Sequence, residues 1–201
     1  MVAVMNKSLV KYGVTVLALV AVLVVIFWQQ FAAQPVIPSA LKNMGGDFEL
    51  QSSQGPLALH DFRGKAVLIY FGYTHCPDVC PMALGVMAAA MQQAGDALKH
   101  RVAGIFISVD PRRDTPDKLD QYARFFDPRI KGVTGTPALL DKVAAAWRVD
   151  YAVPDQPADA SYAVEHSTFI YLVNPDGKVA GLFDEKTSAA VIAEQLRLWL
   201  R

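Results

Sequence analysis

Cys76 and Cys80 are the only two cysteines among the 201 residues, and their C-x3-C spacing is one residue longer than the C-x-x-C of thiol–disulfide redox sites. An apolar run, Ala66 to Phe71, precedes them and reads as a buried strand ending at Gly72. An alanine-rich stretch from about Met82 to Ala94 follows and reads as a helix. The cysteines therefore fall in the loop and first turn between strand and helix. Unpaired backbone N–H groups and the helix dipole there favour thiolate over thiol. Two thiolates so placed can form a disulfide, attack one, or hold a soft metal ion. A structural zinc site is excluded within one chain: four cysteines are lacking, and His60, His75, His100 and His166 show no paired zinc-finger spacing.

The elements that must position this pair alternate between strand and helix. Phe48–Gln51 and Leu57–Leu59 suggest a small leading hairpin, and Asp61–Lys65 turns the chain into the cysteine-bearing strand. Val102–Val109 reads as a second buried strand. A helix over about 115–126 is expected from Thr115 as N-cap and Pro116 at its first position. Ile130–Val133 reads as a short strand, and Thr136-Pro137 opens a helix to about Arg148. Tyr151–Tyr162, with Pro154 and Pro157, reads as a loop or irregular hairpin. Thr168–Val173 and Val179–Phe183 flank an Asn174-Pro-Asp-Gly hairpin turn, and Thr187–Leu200 reads as a closing amphipathic helix. This order is that of an α/β, thioredoxin-like domain with a mixed sheet, spanning residues 45–201.

Before the domain, Tyr12–Trp28 carries no charge, is mostly Val, Leu, Ala and Ile, and would extend about 25 Å as a helix. Lys7 and Lys11 precede it, and no Lys or Arg follows until Lys42. The positive-inside rule then makes residues 1–11 cytoplasmic, 12–28 a transmembrane anchor, and 29–44, with Pro35 and Pro38, a tether outside the cytoplasm. The competing reading is a cleaved signal peptide, disfavoured by the length of the run and by Phe31-Ala-Ala33 as a cleavage site. Either reading puts the domain in an oxidising compartment. The charge balance, 19 basic against 19 acidic residues, gives no electrostatic basis for nucleic-acid binding.

The chain resembles the Sco/SenC family, membrane-anchored copper proteins that serve cytochrome c oxidase assembly. Phe71-Gly-Tyr-Thr-His-Cys-Pro-Asp-Val-Cys-Pro81, Ser108-Val-Asp-Pro-Arg-Arg-Asp-Thr-Pro116 and Val164-Glu-His-Ser-Thr168 carry the resemblance, which covers nearly everything after the tether. It implies copper, as Cu(I), Cu(II) or both, held by Cys76, Cys80 and His166. It also implies delivery to the copper-bearing subunit of cytochrome c oxidase, at its binuclear centre. Expected further partners are a periplasmic copper donor or a thiol reductant. The implied location is the inner (cytoplasmic) membrane, single-pass, with the globular domain periplasmic. Glu165 departs from the Asp usual before the family's ligand histidine. The chemistry agrees: thiolate selects Cu(I), imidazole suits both copper states, and the C-x3-C loop lets two sulfurs converge on one ion. Three ligands would leave copper open to a partner's ligands.

Plainer readings compete at each position. A Cys76–Cys80 disulfide would close a very short loop and remove little chain entropy. His166 could merely pack or cap, and His75, beside Cys76, is an alternative ligand. Met82, Met87 and Met91 do not converge at helical spacing and are expected to fill the core. Asp78 is a turn residue or a partner guide. Asp110, Arg112, Arg113 and Asp114 are expected to form a solvated turn at a helix start, with a docking surface as the functional alternative. Two other functions use the same cysteines: a thiol–disulfide reductase with Cys76 and Cys80 catalytic, and a redox sensor in which Cys80 resolves an oxidised Cys76.

Overall fold

The structure, a computed structural model, describes residues 16–24, 35–154 and 161–201. The chain divides into two compact units, split after Pro35. Residues 16–24 are helical (α1) with exposed side chains, while 12–15 and 25–28 of the expected anchor lie outside the described residues. Among the described residues no helix is long and apolar enough to cross a membrane.

The second unit, Val36–Arg201, is built on five strands in the order β5-β4-β3-β8-β9. The central strands β3 (Ala66–Gly72) and β4 (Val102–Ser108) are buried at every position, which is why both read as unbroken apolar runs. They pair in parallel, and β4 pairs in parallel with β5 (Ile130–Val133). On the other side β8 (Ile170–Val173) is antiparallel to β3, and β9 (Val179–Phe183) to β8. Full burial of a Leu68 or Ile69 side chain here contributes roughly 1.5–3 kcal/mol.

Alternation along the strands assigns the two faces. Tyr70 stacks on Phe106, which meets Tyr122 of α3 (Pro116–Phe126). Phe71 and Tyr171 instead meet Trp147 at the end of α4 (Pro137–Trp147). The cysteine-bearing helix α2 (Val79–Gln93) packs along the closing helix α5 (Ala189–Trp199). Thr115 and Thr136 cap α3 and α4, accepting from the N–H groups of Lys118 and Leu139, each with proline at the first helical position. A leading hairpin, β1 (Glu49–Ser52) with β2 (Gly55–Ala58), forms its own two-stranded sheet, bridged to the residue after β5 where Gln51 and Thr134 exchange backbone hydrogen bonds.

Two expectations are corrected. The described part of the expected tether is not free chain. Ser39–Leu41 forms a 3-10 turn, Ile37 and Met44 pack on the core that includes Leu41, and the Gly45 N–H donates to the Ala146 carbonyl. Apolar side chains at 37, 41 and 44 give this stretch something to bury, which its prolines obscure. The stretch expected as a loop or irregular hairpin over 151–162 contributes one strand, β6 (Tyr151–Ala152), whose antiparallel partner β7 (Glu165–His166) lies beyond that stretch. Residues 155–160 lie outside the described residues.

Candidate metal centre

Strand β3 ends at Gly72, and a Cβ built there would stand 2.7 Å from the Cys80 Sγ. Glycine is thus required to let the first turn of α2 bring its thiol onto the end of the sheet. Cys80 is fully buried and Cys76, one loop earlier, is nearly so; both are free cysteines. No side chain caps α2 at Asp78. Burial pushes the Cys76 thiol up, but the backbone N–H groups of Asp78, Cys80 and Val79 outweigh it and hold its pKa below the ordinary thiol value. Cys80 lacks that many donors, and burial drives its pKa far above the usual range. The pair is asymmetric: backbone donors favour the thiolate at Cys76, and burial favours the thiol at Cys80.

His166 arrives from β7 and brings its Nε2 to 3.3 Å from the Cys80 Sγ. Its Nδ1 lies 2.9 Å from the Ser167 carbonyl, so the Nδ1 proton is donated there and Nε2 is left as the lone-pair nitrogen facing the sulfur. This backbone bond orients the ring without help from residue 165, where Glu165 is exposed. The rings of Tyr70 and Tyr73 stand nearly perpendicular to the imidazole, with centroids 5.9 and 5.8 Å away. Burial lowers the His166 pKa, partly offset by the Ser167 carbonyl, and keeps the ring neutral. The ligand atoms of Cys76, Cys80 and His166 all lie within 4.8 Å of one another, a group that could hold a metal ion. Soft sulfur paired with imidazole fits copper.

The charged loop after β4 is the main correction to the sequence reading. Asp110, Arg113 and Asp114 are buried, not solvated. Asp114 accepts from the Thr74 N–H at 2.9 Å, the Thr74 hydroxyl at 2.5 Å and the Ser108 hydroxyl at 2.6 Å. Asp110 accepts from Arg113 Nε at 2.5 Å and the Tyr162 hydroxyl at 2.7 Å. The Arg113 guanidinium also donates to the Tyr162 carbonyl and sits 3.5 Å over the Tyr162 ring. One end of the loop thus fixes the residue two before Cys76, and the other fixes the residue four before His166. The signal available in sequence was the D-P-R-R-D run directly after a buried strand, which alone does not distinguish burial from solvation.

Other candidates fall outside the group. His75 is about half exposed, with its Nδ1 3.2 Å from the Thr74 hydroxyl and 3.7 Å from Asp114. Met87 and Met91 fill the core as expected, but Met82 is 59% exposed, correcting its assignment to the core. It borders a cavity of about 310 Å³ with Asp78, Val79 and Tyr70. Asp78 is exposed.

A thioredoxin-type α/β fold with a Cys–Cys–His cluster at the end of its first central strand defines a narrow class. The SCO1/SenC family model matches residues 38–201, and the chain belongs to that family. It is 37% identical over 160 residues to the mitochondrial SCO1 homologue of Mus musculus, covering 79% of this chain and 56% of that protein. The chain thus spans somewhat over half the length of the curated relatives it matches. The copper-bound structure of Bradyrhizobium japonicum ScoI is similar at a TM-score of 0.70 and 38% identity, covering 78% of this chain and 99% of that one. Copper-bound yeast Sco1 gives a TM-score of 0.65 at 32% identity, covering 77% and 89%.

Proposed function

We propose that this chain is a membrane-anchored metallochaperone in which Cys76, Cys80 and His166 hold copper for delivery to the binuclear copper centre of cytochrome c oxidase. The observation that carries this reading is the convergence of those three ligand atoms from two distant parts of the chain. Copper in the similar ScoI and Sco1 structures supports the choice of metal. A site of three ligands, one on a short ribbon, suits a cargo that must be handed on. The acceptor is the copper-bearing oxidase subunit; a periplasmic copper donor or a thiol reductant would act upstream. Residues 12–28 are the anchor in the inner membrane, with the domain on the periplasmic side; the uncharged, mostly apolar sequence of that span supports this part.

The test is Cu(I) affinity of the reduced, detergent-solubilised full chain against a chromophoric chelator. One-to-one tight binding is expected. Because altering partners behind metal ligands already costs about 10–100-fold in affinity, losing a ligand in Cys76→Ser, Cys80→Ser or His166→Ala should cost more than about 100-fold. Stoichiometric tight copper in His166→Ala would sink the three-ligand model. For the anchor, protease added outside intact spheroplasts should remove the domain and spare residues 1–11.

A second reading, thiol–disulfide reductase, draws on the opposed pKa shifts of the two cysteines. Cys76 would attack an acceptor disulfide and Cys80 would resolve the mixed disulfide. Reductase activity that persists in His166→Ala would favour it, since that exchange needs no imidazole.

A further inference from the structure

Among the described residues, the phenol hydroxyls of Tyr70 and Tyr122 are buried with no nitrogen or oxygen partner, and that of Tyr70 faces the Cys80 sulfur, whose thiolate form its hydrogen bond favours. Other tyrosines are satisfied: Tyr151 donates to Asp141, and Tyr162 to Asp110. Leaving a buried hydroxyl without such a partner costs roughly 1–3 kcal/mol, so phenylalanine would serve the core better at either position. A donor of this kind is sensible where its acceptor gains charge in another state of the protein.

Tyr70 stands in such a place. It lies in the middle of the sheet, stacked on Phe106, with its ring nearly perpendicular to that of His166. The position of a Cβ at Gly72 would be 2.7 Å from the Cys80 Sγ and 3.1 Å from the Tyr70 Cε1, so sulfur and phenol share one small space. Cys80 is fully buried and gathers fewer backbone donors than Cys76. We propose that Tyr70 is a positioning residue whose hydroxyl donates a hydrogen bond to the Cys80 sulfur once that sulfur carries thiolate charge on a metal ion. The proposal rests on the copper reading above and adds to its ligand set a donor that shapes one ligand's charge. Hydrogen bonding to a cysteine ligand tunes copper sites generally, by reducing the electron density the sulfur gives the metal. Tyr122 provides the comparison: its hydroxyl feels both sulfurs and Asp114 only through space.

The experiment compares Tyr70→Phe, Tyr122→Phe and the unaltered chain, all full-length in detergent. Three quantities are read: thermal unfolding of the metal-free protein, Cu(I) affinity by chelator competition, and the energy of the sulfur-to-Cu(II) charge-transfer band. Tyr70→Phe is expected to leave metal-free stability unchanged or raised. It should weaken Cu(I) binding about tenfold, the scale of one hydrogen bond to a charged group, and move the band to longer wavelength. Tyr122→Phe should move neither copper reading. An unchanged affinity and band in Tyr70→Phe would overturn the proposal. So would a loss of metal-free stability without a copper effect, which would place the hydroxyl's role in the fold. Equal copper effects in both variants would also overturn it, because proximity to sulfur would then not be the cause. Failure of the unaltered chain to bind copper would instead overturn the metallochaperone reading on which the proposal stands.

Discussion

The cysteine side and the histidine side of the site are supported at different ranges. Cys76 and Cys80 sit on one strand–helix junction, where β3, its terminal Gly72 and the first turn of α2 are contiguous in the chain. His166 is 86 residues beyond Cys80 and rides on a ribbon of two residues per strand. That ribbon is fastened from outside its own pairing: the Ser167 N–H donates to the Asp150 carbonyl, the Asp150 N–H to the Ser167 hydroxyl, the Tyr151 hydroxyl to Asp141, and Val164 is buried in the core. The buried loop after β4 joins the two sides, with Asp114 serving the cysteines and the Asp110–Arg113 pair serving Tyr162. A site assembled this way has one rigid jaw and one lightly held jaw.

The sharpest way to break this contrast is to soften the rigid jaw. Asp114→Ala would leave the Thr74 N–H, the Thr74 hydroxyl and the Ser108 hydroxyl without their common acceptor. A loss of about 3 kcal/mol in urea unfolding is expected, given the worth of bonds to a buried charge. On the other jaw, Tyr162→Phe removes a single bond to Asp110 and should cost about 1–2 kcal/mol. The ranking is the point: if Tyr162→Phe proved the more damaging, the cysteine junction would not be the rigid side.

The same contrast explains what was legible in the sequence. The junction was legible because its causes are local: an apolar run, a glycine, two cysteines and a helix-forming segment in direct succession. The caps Thr115-Pro116 and Thr136-Pro137 were legible for that reason too. His166 stood out only through the family resemblance, since nothing near it in the chain reports a partner 86 residues away. The burial of Asp110, Arg113 and Asp114 was read wrongly. Their partners Thr74 and Tyr162 lie 40 residues before Asp114 and 52 after Asp110, and without them a run of charges reads as solvated. Met82 failed differently: helix α2 buries Met87 and Met91, but position 82 falls on its open side.

Within the rigid jaw the two thiols should differ in reactivity. The N–H groups around Cys76 lower its pKa, so more of it is thiolate at neutral pH; burial holds Cys80 as thiol. Iodoacetamide at about pH 7 on the metal-free protein should therefore modify Cys76 at least about tenfold faster, as read by peptide mass mapping. The Cys76 rate should reach half its maximum below the ordinary thiol value as pH rises. Faster modification of Cys80 would mean that its thiolate is already drawn out before metal arrives.

The smallest effect expected belongs to the lightly held jaw. His166 has a lowered pKa in the folded chain, because burial disfavours the imidazolium more than the Ser167 carbonyl favours it. Between that lowered value and the ordinary 6.5, the unfolded chain holds more protons than the folded one. The contribution of this ring to stability is therefore complete above 6.5 and is lost as pH falls through the folded value. Urea unfolding of the metal-free protein at about pH 7.5 and about pH 5.5 should show a larger acid loss in the unaltered chain than in His166→Ala. The difference should stay under about 1 kcal/mol, since the ring is only partly buried. Equal acid losses in the two proteins would mean that the imidazole is as free to take up a proton when folded as when unfolded. The ribbon would then leave His166 in water until a metal ion recruits it, and the jaw would be open in the metal-free protein.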